Sequence, residues 1–190
     1  MKIKYRIIKT LIENKEKPMN IAELSKGLGT DYKLIYLNVT ALKNKRVLVV
    51  NKMGNTNLCS LTPSFNEEVF VTEYMRRDKF LENKDFLVLY NRLSTLNKQF
   101  ILIVFGSQVN GTATKASDLD LLLISNKEDS KLIESEVALS PLKIHLTSTS
   151  YGDFIKMLLT KQQTVVSEAI KKNIILFGIE DYYRILNNAR

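Results

Sequence analysis

The chain is short of the residues that cross-link or anchor a fold. It has a single cysteine, Cys59, which excludes an internal disulfide and suits a reducing compartment. No apolar run approaches the roughly 18 residues that a membrane span requires. The charged, amphipathic start carries no signal-peptide apolar block. The expectation is a cytoplasmic protein with no membrane partner. No Gly-, Pro- or Ser-rich linker appears, and no internal repeat or low-complexity segment. There is one histidine, His145. Apolar residues make up 45% of the 190, enough to build a core and to exclude wholesale disorder. The length allows one domain or two small ones.

Positive charge is abundant and unevenly placed. The net charge is +8. Residues 1–65 hold 12 Lys/Arg against 4 Asp/Glu, which accounts for all of it, and residues 66–190 hold equal numbers of each sign. A basic first third suggests a separate module that meets a polyanion; the plainer alternative is a lysine-rich composition that happens to cluster there.

Within that third, apolar residues at Tyr5, Ile7, Ile8, Leu11 and Ile12 predict a helix that Pro18 stops. Asn20, with Glu23 three residues on, predicts a capping box on a second helix ending at Gly27 and Gly29. Asp31 can cap a third, "DYKLIYLNVTALKNKR", with apolar positions Leu34, Ile35, Leu37, Val39 and Leu42. "VLVV" and "LCSLT" around "NKMGNTN" predict a hairpin. This order resembles the winged helix-turn-helix regulators of bacteria and archaea. The resemblance implies that the third helix enters the major groove of DNA and that the wing touches its backbone. The candidate contacts are then Asp31, Tyr32, Lys33, Tyr36, Asn38, Lys43, Lys45, Arg46 and Lys52. A protein-binding module with a solvated basic face is the alternative.

Two helical stretches follow, residues 64–83 and 84–97. From Gln99 the texture changes to apolar runs, "FILIVF", "LLLI" and "LKIHL", separated by helices. Two of these runs are continuous, as in strands covered on both faces. The first ends at Gly106-Ser107 and the second is opened by Asp118 and Asp120. Alternate strand residues share a face, which sets the two carboxylates side by side with Cα atoms about 6.6 Å apart. Such a pair calls for a positive partner, and Mg²⁺ or Mn²⁺ suits oxygen ligands best. Gly106 permits a sharp turn, and Ser107 opens a short helix able to face a phosphate. A phosphate corner beside paired carboxylates is equipment for nucleotidyl transfer.

Gly106-Ser107, ten residues, then Asp118-Leu119-Asp120 resembles the signature of the nucleotidyltransferase superfamily that includes DNA polymerase beta, and in particular its minimal (MNT) members. The resemblance implies that Gly106 and Ser107, with Lys115 and Ser117, hold the triphosphate of ATP or another NTP, and that Asp118 and Asp120 ligate the metal. It implies transfer of a nucleoside monophosphate to an acceptor hydroxyl. Some MNT proteins are antitoxins acting on a HEPN-type toxin, which suggests an acceptor. Asn110 stands where a basic residue often precedes the second glycine; Lys115 is the available substitute. Active members often carry a third carboxylate on the next strand, and "LKIHL" has none. Leu142, Ile144 and Leu146 alternate inward, leaving Lys143 and His145 on the other face. His145 is a general base, a weak metal ligand, or an ordinary strand histidine. Glu134, Glu136 and Asp153 lie near in sequence only.

The expected fold class is α+β: a winged helix-turn-helix at 1–65, a helical connector at 66–98, and a polymerase-beta-like nucleotidyltransferase α/β domain with C-terminal helices at 99–190. The expected function is NMP transfer coupled to DNA binding, with a homodimer and a HEPN-type toxin as partners. The alternative is a transcriptional regulator whose nucleotidyltransferase domain only senses a nucleotide.

Overall fold

The computed structural model describes residues 1–54, 56–62, 65–114, 117–160 and 164–189. The chain forms two compact units, Met1–Tyr74 and Met75–Arg190. No helix among the described residues is long and apolar enough to cross a membrane.

In the first unit, helix α1 (Ile3–Glu13) buries Ile7, Ile8, Leu11 and Ile12, the i, i+1, i+4, i+5 stripe seen in the sequence. A two-residue strand, β1 (Met19–Asn20), comes next. Its brevity left no periodic signal to read. Helix α2 (Ile21–Leu28) starts with the expected capping box. The Asn20 side chain accepts from the Glu23 amide at 2.8 Å, and the Glu23 carboxylate accepts from the Asn20 amide at 2.8 Å. Helix α2 ends on Gly29 in the left-handed region. Helix α3 (Tyr32–Asn44) is capped by Asp31, whose carboxylate accepts from Leu34 N. It buries Ile35, Val39 and Leu42, while Leu34 and Leu37 are exposed. Only the i, i+4, i+7 subset of the expected apolar set therefore faces the core.

Strands β2 (Leu48–Met53) and β3 (Thr56–Leu61) form the hairpin, with Met53 opposite Thr56, and β1 joins its β3 edge antiparallel. Three helices, a small edge strand and a two-stranded wing make this unit a winged helix. Its core is Ile, Leu and Val from all three helices plus Val47, Leu48 and Cys59. Full burial of one such side chain stabilises by about 1.5–3 kcal/mol. Helix α4 (Glu67–Phe80) runs through the division between the units.

The second unit is built on a four-stranded sheet. Helix α5 (Lys84–Ser94), capped by Asn83, precedes strand β4 (Ile101–Phe105). Then come the short helix α6 (Ser107–Asn110), strand β5 (Leu119–Ile124) and helix α7 (Lys127–Ala138). Strand β6 (Ile144–Thr149), helices α8 (Tyr151–Leu159) and α9 (Val165–Lys171), strand β7 (Ile174–Phe177) and helix α10 (Ile179–Asn188) complete it. The strand order is β6-β5-β4-β7. β4 pairs antiparallel with both β5 and β7, and β5 pairs parallel with β6 across the α7 crossover. β4 is buried throughout and β5 nearly so, because helices cover both faces. The cluster of Leu89, Leu93, Leu102, Val104, Leu121, Leu123, Ile133 and Val137 packs α5 and α7 on one face. The continuous apolar runs follow from this double covering.

Candidate active site at the mouth of the sheet

β4 delivers Phe105 to one end of the sheet, and the chain turns there through Gly106 at φ 71°, ψ −147°. That region of backbone space is essentially open to glycine alone. Ser107 follows as the first residue of α6. Antiparallel register sets Phe105 opposite Asp120, and parallel register sets Asp120 opposite His145. Directly opposed strand residues share a face. One residue earlier Leu119 faces Ile144, with the Leu119 amide donating to Lys143 O at 2.8 Å. Alternation then returns Asp118 and Lys143 to the Asp120 face.

The result is two cross-strand pairs at the sheet mouth. Lys143 Nζ lies 2.7 Å from Asp118 Oδ1, and His145 Nδ1 lies 3.4 Å from Asp120 Oδ1. The other Asp120 oxygen, Oδ2, is seated against Gly106: a Cβ built there would overlap it. The carboxylate and the glycine corner are thus in contact. The side chains are 39% exposed at Asp118 and 26% at Asp120, so neither is deeply buried.

Asp118 Oδ1 combines two features. It is an ion-pair atom by distance, yet it is shut off from solvent and makes no hydrogen bond. The adjacent ammonium balances its charge. Lys143 is itself 78% exposed, and an ion pair to so exposed a lysine is weak. Hard oxygen donors of this kind fit Mg²⁺ or Mn²⁺, with water and phosphate oxygens completing the shell. Among the described residues no group of three or more His, Cys, Asp or Glu side chains is arranged to hold a metal.

The sequence alone asks for a cation from outside to balance two adjacent carboxylates; in the fold Lys143 and His145 supply positive or polar partners from within the chain. Lys143 is the site residue that sequence reasoning did not assign. Its signal was present, because positions 143 and 145 repeat the two-residue spacing of 118 and 120. Ser117 spends its hydroxyl locally, accepting from Thr114 N at 2.9 Å and meeting Thr114 Oγ1 at 3.2 Å. Lys115 lies outside the described residues. Glu134 accepts from Ser130, Glu136 pairs with Arg92, and Asp153 is bound by Ser150 and Lys156. None of these four partners belongs to the sheet mouth.

On the first unit, Tyr32, Lys33, Tyr36, Lys43, Lys45, Arg46 and Lys52 are exposed, and Asp31 is engaged as a helix cap. Tyr32 and Tyr36 stand one turn apart on α3. Tyr32 also lines a cavity of about 260 Å³ with Asn20, Ile21, Ala22, Thr56 and Asn57. Two candidates are otherwise occupied. Asn38 is half-buried and donates its amide to Leu34 O at 2.8 Å. Lys45 Nζ pairs with Glu68 Oε1 at 2.7 Å, and Lys4 pairs with the same carboxylate at 2.8 Å. Burial pushes the Glu68 carboxyl up, but the hydrogen bonds from Lys4 and Lys45 outweigh it and hold it below the usual glutamate range.

Residues 88–177 match the nucleotidyltransferase domain family. The match begins inside α5 and ends on the last residue of β7, so it contains all four strands and the whole carboxylate face. It supports the nucleotidyltransferase superfamily for this segment, and nucleotidyl transfer in general terms. No curated protein matches the chain. Among solved structures, reduced HlyU from Vibrio cholerae N16961 is similar at 18% identity over 40% of this chain and 76% of that one, with a TM-score of 0.34.

Proposed function

We propose that the second unit transfers a nucleoside monophosphate, AMP from ATP in the first instance, to a hydroxyl of a macromolecular acceptor, and that the winged helix binds DNA. The observation that carries the reading is the seating of the Asp120 carboxylate on the Gly106 corner, with Asp118 beside it. The family match over residues 88–177 supports it. In this reading Gly106 and Ser107 receive the triphosphate, and Asp118 and Asp120 hold Mg²⁺ or Mn²⁺. The bound ion would neutralise charge on the phosphate oxygens. The acceptor oxygen forms a bond to the α-phosphorus, the bond from that phosphorus to the bridging oxygen of the β-phosphate breaks, and pyrophosphate leaves. His145, beside Asp120, takes the proton of the acceptor hydroxyl. Asp120 holds the imidazole in place through the 3.4 Å contact.

A HEPN-type toxin is the acceptor we would try first, with the chain as its antitoxin and homodimer formation through the winged helix. A second reading, a regulator that senses a nucleotide without turning it over, is favoured by the lack of a third carboxylate among the described residues of the site. Incubation with ATP labelled at the α-phosphate and Mg²⁺, with and without the protein encoded beside this one, separates the two. Label transfer that is lost in Asp118→Asn and Asp120→Asn supports the enzyme. Nucleotide retention without transfer supports the sensor, and no retention at all refutes both.

A further inference from the structure

Resting on the nucleotidyl-transfer reading, we propose that the Lys143 ammonium takes the place of a second metal ion, so that the site works with one divalent cation. Three observations lead there. Lys143 Nζ already stands at 2.7 Å from a carboxylate oxygen of the metal-binding pair. Its backbone is fixed, because Lys143 O accepts from the Leu119 amide between the two aspartates. Its side chain is 78% exposed and reaches the mouth from the adjacent strand, free to turn from Asp118 to an incoming phosphate oxygen.

The charge balance points the same way. Two-metal sites set two divalent ions about 3.5–4 Å apart. On three carboxylates such a pair leaves the site at +1. Here two carboxylates and one ammonium total −1, counting the imidazole as neutral. One divalent ion brings this site to the same +1. A second divalent ion would raise it to +3 and stand against the ammonium, with no third acid among the described residues to hold it. In this balance the Lys143 ammonium supplies positive charge that a second ion would otherwise bring. Lys143 would turn from Asp118 to the triphosphate, which makes it a phosphate-binding residue of the reaction.

The test counts metal on the full-length chain. Purified protein is dialysed to equilibrium against Mn²⁺ and the non-hydrolysable analogue α,β-methylene-ATP, and retained Mn²⁺ and nucleotide are measured together with the electron paramagnetic resonance spectrum. One Mn²⁺ per bound nucleotide, with no exchange coupling between manganese ions, is expected. Lys143→Ala should weaken nucleotide binding roughly tenfold or more, the effect of losing one charge-assisted contact. Lys143→Asp, which returns a carboxylate to the strand, should move the ratio towards two and introduce coupling. Circular dichroism checks that both variants fold, as an exposed lysine allows. Two coupled Mn²⁺ per nucleotide on the wild type overturns this proposal and leaves nucleotidyl transfer standing. An unchanged affinity and ratio in Lys143→Ala also overturns it. Absence of any retained nucleotide overturns the nucleotidyl-transfer reading and this proposal with it.

Discussion

Gly106→Ala should damage the candidate site by two separable effects. The first is backbone strain: φ 71° with ψ −147° is a conformation that L side chains essentially do not adopt. Holding alanine there costs about 1–3 kcal/mol. For a chain of this length that lowers the melting temperature by roughly 3–10 °C. The second is collision, because the new methyl group would overlap Asp120 Oδ2 and its side-chain carbon would also be crowded. The carboxylate must rotate away, and a displaced ligand weakens metal binding by at least about tenfold.

Gly111→Ala serves as the control. Gly111 also has a positive φ, 75°, but a Cβ there meets nothing within 4 Å among the described residues. It should bring strain of about 1–2 kcal/mol and no collision. The assay is thermal denaturation of both variants, together with Mn²⁺ affinity measured in the presence of α,β-methylene-ATP. Gly106→Ala should lose stability and metal affinity, and Gly111→Ala should lose stability alone. If the two variants bound Mn²⁺ equally well, the contact between the glycine corner and Asp120 would have no bearing on the site, and the reasoning would be refuted.

Three further outcomes are expected. Glu68→Gln should destabilise the first unit by about 1 kcal/mol, a value kept small because Lys4 and Lys45 are partly exposed. Since the folded Glu68 carboxyl is held below its usual range, its contribution is present above the ordinary value of about 4.3 and is lost as pH falls through the lower folded value. Melting temperature followed from pH 6 down to pH 3 should therefore fall less steeply in Glu68→Gln than in the wild type. In DNA shift assays across salt concentrations, Lys33→Ala should reduce the slope of log affinity against log salt by about 0.9, the loss of one phosphate contact. Lys45→Ala, whose ammonium is already paired with Glu68, should reduce it less. Asn20→Ala should cost about 0.5–2 kcal/mol in chemical denaturation, because it removes the side chain that caps the Glu23 amide.

The parts of this molecule legible in the sequence are those set by local chemistry. Asn20 and Asp31 are helix caps because a short polar side chain can satisfy an amide two or three residues on, and that relation lies within four residues of chain. β4 and β5 announce themselves because burial on both faces leaves no polar position for alternation. β1 does not, since two residues hold no period and their pairing with β3 depends on a hairpin some forty residues away. Leu34 and Leu37 look like core by composition, and only the packing of α3 separates them from Ile35 and Val39.

The candidate site divides along the same line. Asp118, Asp120 and the glycine corner are readable because they sit on one segment at fixed spacing. Whether the carboxylates meet the corner depends on antiparallel register between β4 and β5, and a slip of one residue would turn Asp120 into the opposite face. The charge on the site depends on a second register, the parallel one between β5 and β6, which no short segment contains. Alternation alone shows that Lys143 and His145 share a face. It takes the pairing of Leu119 with Ile144 to set that face beside the aspartates and to convert two repelling acids into two cross-strand pairs. The electrostatics therefore belongs to the sheet and not to the motif. A motif of two aspartates states how many carboxylates are offered; the neighbouring strand determines how much positive charge already stands beside them.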